Sequence, residues 1–238
     1  GEDDIVRLED RTIAGFEALM RWVSPTLGQI PPGEFIPVAE QSGLIFPMGH
    51  WALEEACRQN KAWQDAGMAP RVVAVNLSAV QFHSADILAT VTRALEVSGL
   101  EAHYLELEIT ESVIVEDPER VVKLMDDLKA IGVKLSIDDF GTGYSSLSYL
   151  KRFPLDKIKI DRSFVRDLET SNSDSAIVRM VIGIAAELQH RVIAEGVETL
   201  EQLNFLQRHE CDEYQGYYCS PAVPASEVPQ LLARQQTR

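Results

Sequence analysis

The sequence predicts an α/β protein: a (β/α)8 barrel of the TIM type with one antiparallel strand near the N-terminus. Three observations predict it. Strand-like apolar runs recur along the 238 residues with helical stretches between most of them, the pattern of a mainly parallel sheet covered by helices. Eight such runs can be marked out, the number that closes a barrel in a chain of this length. The first two, residues 5–9 and 12–22, are joined only by Asp10-Arg11, so they form a hairpin and one strand runs against the rest. An open doubly wound sheet is the alternative arrangement of the same elements.

The remaining strands are expected at residues 72–78, 104–110, 134–138, 157–161, 191–195 and 213–218. The clearest helix is DPERVVKLMDDLKAIG (117–132). Asp117 suits an N-cap, Pro118 the first turn and Gly132 the position just past the end. Val121, Leu124, Met125, Leu128 and Ile131 form one apolar stripe at helical spacing. SAIVRMVIGIAAELQH (175–190) repeats the idea, with a stripe expected at Ile177, Met180, Val181, Ile184 and Leu188. No internal repeat, linker or low-complexity tract divides the chain, so residues 1–238 read as one domain. The start at Gly1-Glu-Asp-Asp rather than Met leads us to expect that the domain is excised from a longer multidomain protein with regulatory domains of its own.

The formal charge is −15, from 22 Lys+Arg against 37 Asp+Glu. That disfavours duplex nucleic acid and anionic membrane as partners. A bound anion requires metal ions or local cations to reverse the field. Cys57, Cys211 and Cys219 are odd in number and lack CxxC spacing, which suits a reducing compartment and argues against structural zinc. There is no apolar run of transmembrane length. A cytoplasmic location is expected, including as the cytoplasmic domain of a membrane-bound protein.

In a barrel of this kind the active site lies at the carboxyl ends of the strands, and strand side chains alternate between faces. In GFEALMRW, Glu17, Leu19 and Arg21 share one face, and the more apolar Phe16, Ala18, Met20 and Trp22 share the other. In YLELEITES, Leu105, Leu107 and Ile109 face the helices, leaving Glu106 and Glu108 inward. In KLSIDD, Asp138 faces in. In KIKID, Lys159 and Asp161 face in. Parity thus directs Glu17, Asn76, Glu108, Asp138, Lys159 and Glu195 to one cavity. So many carboxylates share a dry cavity only if several are protonated or they hold metal. Oxygen ligands with one neutral amide suit hard divalent ions. Two such ions about 3.5–4 Å apart, bridged by a carboxylate, are an arrangement used for phosphoester displacement, and adjacent Asp138 and Asp139 could serve such a pair. Singly, each signal is weak: an inward Glu or Asp is more often ion-paired than catalytic, and FGTGYSS lacks the lysine of a P-loop. The five histidines, His50, His83, His103, His190 and His209, fall outside this inward set.

Eight segments in order resemble the EAL domain, the bacterial cyclic di-GMP phosphodiesterase family. They are EALMRW (17–22), FIPVAEQSGLI (35–45), VNLSAVQF (75–82), LEITES (107–112), DDFGTGYSSL (138–147), KIDRSFV (159–165), AEGVET (194–199) and QGYYCSPAVP (215–224). The resemblance implies a two-ion (Mg2+ or Mn2+) hydrolysis of cyclic di-GMP to linear 5′-pGpG. It implies that Glu17, Asn76, Glu108 and Asp138 hold the first ion and that Asp138 bridges to a second held with Asp139. Glu195 matches a glutamate serving the second ion or water activation. Lys159 matches the lysine on the reacting phosphate or a metal-bound water, and Gln215 the late active-site glutamine. Arg21 looks like a phosphate contact, with Leu19 and Asp161 beside the nucleotide. Glu111 matches the glutamate that steadies the DDFGTG loop, a loop that the resemblance also links to the contacts of a homodimer.

The fit departs in two places, and one is the ending YYCSPAVP, where Cys219 stands at a commonly aromatic or apolar position. The family's first strand usually opens with an aromatic-Gln-Pro tripeptide, whereas Gly-Glu-Asp-Asp precedes Ile5 here, and weaker nucleotide affinity is expected. The rival readings are a receptor or scaffold that binds cyclic di-GMP without cleaving it and, more remotely, a barrel lyase or hydrolase acting on a small carboxylate.

Overall fold

The computed structural model describes residues 2–114, 117–142 and 150–235. Gly143 and the serines after it, and with them the expected dimer-linked part of the loop, lie outside the described residues.

Eight strands close a barrel: β1 (Glu2–Arg7), β2 (Ile13–Ala18), β5 (Val72–Leu77), β6 (Leu105–Thr110), β7 (Lys134–Phe140), β8 (Lys157–Ile160), β9 (Arg191–Ala194) and β10 (Glu213–Tyr214). Their order around the barrel is β1-β10-β9-β8-β7-β6-β5-β2. β1 is antiparallel to both neighbours, and every other pair is parallel. The short connection at Asp10-Arg11 forces this, with Arg11 in the left-handed region at φ 57°. A small hairpin, β3 (Trp22–Ser24) with β4 (Gly28–Ile30), stands apart from the barrel. The expected strand 12–22 therefore stops at Ala18 and resumes as a separate element.

The helices are α1 (Pro32–Ser42), α2 (Ile45–Asp65), α3 (Ala79–Phe82), α4 (Ile87–Ser98), α5 (Pro118–Ile131), α6 (Arg162–Arg166), α7 (Asn172–Glu187), α8 (Leu200–Arg208) and α9 (Val228–Gln235). α5 forms as its caps predict: the Asp117 side chain accepts from the Arg120 N–H at 3.3 Å, and Gly132 ends the helix at φ 102°. Its stripe buries Val121, Met125 and Leu128. On α7 the stripe is rotated from the expected one. Val178, Val181, Ile182 and Ala185 are buried, while Met180 is exposed. Apolar residues cover most of this helix, so spacing alone does not select a face, and small Val and Ala side chains pack closest to the sheet.

Outward strand residues build the main core. Leu107, Ile109, Leu135, Ile137, Ile158 and Ile160 are fully buried against the helices, and Phe16 packs on Trp63 of α2 with ring centroids 5.3 Å apart. Inward residues stack in layers of alternate strands, as the tilt of such a barrel requires. The strand registers give the layers directly. The lowest fully buried layer holds Gly15, Glu106, Lys157 and Glu213. The next holds Ile5, Ala74, Ser136 and Ile193, of which the three apolar members form a cluster separate from the main core. Above them come Glu17, Glu108, Lys159 and Gln215, and then Asn76, Asp138 and Glu195 at the carboxyl rim.

Candidate active site

The upper two layers place the parity-predicted residues at one mouth. Lys159, fully buried, is the centre. Its Nζ lies 2.6 Å from Glu108 Oε2 and 2.6 Å from Glu195 Oε1. Asp138 Oδ1 is 3.5 Å away and Glu17 Oε2 3.6 Å away. Asn76 Nδ2 donates to Glu17 Oε1 at 2.6 Å, and Gln215 Nε2 donates to Glu17 Oε2. Glu17, Asn76, Glu108, Asp138, Lys159, Glu195 and Gln215 are thus one cluster drawn from β2, β5, β6, β7, β8 and the segments after β9 and β10.

Asp139 joins it by a different route. Simple alternation would send it away from Asp138. Between Ile137 and Phe140 the β7–β8 register slips, and Asp139 sits in the left-handed region at φ 55°. Such a bulge re-aims a side chain, and Asp tolerates this backbone better than most residues. Oxygens of Asp138, Asp139 and Glu195 consequently lie within 4.8 Å of one another. The Asp139 N–H donates to Asp138 Oδ1 at 2.8 Å, fixing the angle between the two carboxylates. Beyond the bulge, Gly141 at φ 98° donates its N–H to Glu111 Oε2 at 2.9 Å. A Cβ there would stand 3.1 Å from the Phe164 ring. Glu111 therefore pins the described start of the Asp-Asp-Phe-Gly loop.

Asp161 caps α6, accepting from the Ser163 N–H at 3.0 Å, and lies close enough to Asp139 to affect its protonation. Leu19 and Arg21 are the exceptions to the parity argument. β2 ends at Ala18, so the pleat that orients Glu17 does not orient them. Arg21 is exposed, and its Nη1 donates to Met20 O at 3.0 Å. His50 pairs with Thr90 at 2.9 Å, away from the cluster. The three cysteines are free thiols, two of them buried.

The charges do not balance. Five carboxylates, Glu17, Glu108, Asp138, Asp139 and Glu195, face one ammonium. Burial alone would depress the Lys159 pKa, but Glu108, Glu17 and Glu195 around it raise it well above the ordinary value. Burial, reinforced by the Glu17 charge, pushes Glu108 far up. Glu17 is held below the ordinary carboxylate value because Lys159, Gln215 and Asn76 more than offset its burial. Burial drives Glu195 up to about 8. Burial, then Asp138 and Asp161, drives Asp139 up to about 6. Protons thus take up negative charge that divalent cations would otherwise neutralise. An oxygen-rich, anion-excess cluster with two amides, Asn76 and Gln215, fits hard divalent ions.

Sequence parity missed one group. Lys157 is two residues before Lys159 and shares its face; its Nζ lies 2.9 Å from Glu213 Oε2 and 3.2 Å from Glu106 Oε2. Arg191 Nη1 reaches Glu213 Oε1 at 3.0 Å. The alternation that selected Lys159 marks Lys157 equally.

A family model described as the EAL domain matches residues 5–222. The chain belongs to the EAL domain family. Among the relatives of this EAL domain is MucR of Pseudomonas aeruginosa, a bifunctional diguanylate cyclase/cyclic di-GMP phosphodiesterase. It is 46% identical over 214 residues, which cover 90% of this chain and 31% of MucR. The cyclic di-GMP phosphodiesterase NbdA of the same organism is 42% identical over 228 residues, covering 96% of this chain and 29% of NbdA. The EAL domain here therefore spans less than a third of either relative. A solved structure of the PaMucR phosphodiesterase in complex with c-di-GMP superposes with a TM-score of 0.93 at 44% identity, covering 95% of this chain and 92% of that one. The closed barrel of this chain is the fold expected from the strand pattern.

Proposed function

We propose that this EAL domain is a metal-dependent phosphodiesterase that hydrolyses cyclic di-GMP to linear 5′-pGpG, with two Mg2+ or Mn2+ ions. The observation that carries this reading is the convergence of four carboxylates, Glu17, Glu108, Asp138 and Glu195, on Lys159 at the carboxyl end of the barrel, with Asp139 beside two of them. The names of its relatives supply the substrate. Glu17, Asn76, Glu108 and Asp138 would hold one ion, and Asp138, Asp139 and Glu195 would hold the other. Bound there, divalent ions supply Lewis acidity: they neutralise the phosphodiester and lower the pKa of water beside it.

The chain's own groups do the rest. Lys159, drawn into the carboxylates in the structure, is placed to donate its ammonium protons to a non-bridging phosphate oxygen, where charge grows in the transition state. Glu195 is the rim carboxylate placed to take the proton of the attacking water. Water attacks phosphorus, the bond to one ribose 3′ oxygen breaks, that oxygen takes a proton from solvent to become the 3′ hydroxyl, and the phosphate stays on the 5′ oxygen. Arg21 swings from Met20 O to the phosphate, with Leu19 and Asp161 beside the nucleotide. Gln215 and Asn76 hold Glu17, and Glu111 holds the loop that presents Asp139. We also infer a homodimer and a cytoplasmic setting. The free thiols support the latter, and among the described residues no helix is long and apolar enough to cross a membrane.

The test is incubation of the purified domain with cyclic di-GMP and either Mg2+ or Mn2+, followed by chromatography. Linear pGpG is expected with either ion and none with EDTA. Binding without turnover in both ions would instead mark a receptor or scaffold, and turnover indifferent to EDTA would remove the metal assignment. Sedimentation velocity tests the dimer.

A further inference from the structure

We propose that Ser136 Oγ, Glu106 Oε1 and Glu108 Oε1 hold one ordered water inside the barrel, and that through this water Ser136 is a positioning residue for Glu108. The second part rests on the reading of Glu108 as a cation ligand.

The layers lead to this site. Ile5, Ala74 and Ile193 make the layer beneath Glu108 apolar. Ser136 is the polar member of that layer and is fully buried. Its Oγ has no hydrogen-bond partner among the described residues, and neither has Glu106 Oε1 below it nor Glu108 Oε1 above it. Both glutamates are 1% exposed. Buried polar atoms without protein partners are where internal water is found, usually with about three hydrogen bonds.

The register fits a bridge. Ser136 is the direct partner of Glu108 on the adjacent strand, and the barrel tilt sets it at a height between Glu106 and Glu108. Neighbouring strands lie about 4.8 Å apart, whereas two hydrogen bonds of about 2.8 Å through a water connect oxygens up to roughly 5.5 Å apart. Ala74, in the same layer, contributes only a methyl group. The donor count closes as well. With Glu108 ionised, as a cation ligand must be, the Ser136 hydroxyl donates to the water, and the water donates to one oxygen of each carboxylate.

The other oxygen of each glutamate is already held, Glu106 Oε2 by Lys157 and Glu108 Oε2 by Lys159. The water would therefore fix the rotation of the Glu108 carboxylate about its axis. Partners of this kind, one step removed from a metal, typically change affinity 10–100-fold when lost.

Two measurements decide the matter. A crystal structure that resolves ordered solvent should show a density peak within hydrogen-bonding distance of Ser136 Oγ and Glu106 Oε1; empty space there overturns the water site. Titration of Mn2+ followed by electron paramagnetic resonance should give at least about tenfold weaker affinity for Ser136→Ala. Ser136→Thr, which keeps the hydroxyl, should stay close to the parent. Unchanged affinity in Ser136→Ala overturns the positioning role. A parent protein that binds no Mn2+ overturns the metal reading and this role with it, while the solvent density still decides the water. Should Ser136→Ala not fold, Ser136→Thr and the crystal structure of the parent carry the test.

Discussion

Lys159 is a buried ammonium kept charged by its neighbours. Glu108 and Glu195 each stand 2.6 Å from it, and the remaining negative charge of the mouth is offset in part by protons. This arrangement makes Glu17 a sensitive position. Glu17→Ala removes the group that Asn76 and Gln215 orient and, on the proposed reading, a ligand of the first ion. Loss of Mn2+ binding and a fall in kcat of about 10²–10³-fold are expected together, measured by calorimetry and by pGpG release. Normal turnover in the variant removes the metal scheme. The same protons set a pH dependence. With Asp139 raised to about 6 and Glu195 to about 8, an ion binding between those pH values must displace protons. Apparent Mn2+ affinity should climb from about pH 6 to about pH 8 and then level. Calorimetry in buffers of different ionisation heat should register proton release at neutral pH. Binding with no proton release contradicts the assigned ligands.

Elements decide whether those side chains meet. The segment after β6 supplies Glu111, and its bond to the Gly141 N–H couples one strand end to the bulge on β7. Glu111→Ala should leave the far-ultraviolet spectrum and barrel intact while amide exchange rises at residues 140–142. Turnover should fall about tenfold or more, as expected for misplaced catalytic groups. Unaltered exchange there means that the loop is held by something else. Period-two alternation was enough to find Glu17, Asn76, Glu108, Asp138, Lys159 and Glu195, because strand geometry fixes which face each side chain takes. It fails at Asp139, where a bulge and a positive φ reverse the rule, and at Arg21, where the strand has already ended. On α7 the apolar surface is too broad for periodicity to name the buried stripe. Each failure has a local cause: alternation describes a regular strand, and these residues sit where regularity stops.

At the scale of the whole molecule, the barrel interior is a stack of charged and apolar layers rather than a uniform hydrophobic filling. The lowest fully buried layer tests this view. Lys157→Met leaves Glu106 and Glu213, both 1% exposed, facing each other without their shared cation. A loss of about 3–5 kcal/mol in denaturant unfolding is expected; an unchanged midpoint would falsify the paired-layer description. The upper layers act in the opposite sense, since they store repulsion until a cation arrives. Glu195 has its folded pKa raised from an ordinary 4.5 to about 8, so the folded form binds more protons than the unfolded chain across that range. The contribution of this group to stability therefore falls as pH rises from about 4.5 to about 8. Divalent ions should reverse the loss. At a hundredfold excess over Kd, one bound ion adds about 2.7 kcal/mol. For a domain of this size that is roughly 5–10 °C in Tm. Calorimetric scans at pH 8 with and without Mg2+ should show that shift, and the shift should shrink toward pH 5 as protons occupy the same oxygens. A Tm that ignores Mg2+ at both pH values would mean that the acidic mouth is held together by the protein alone.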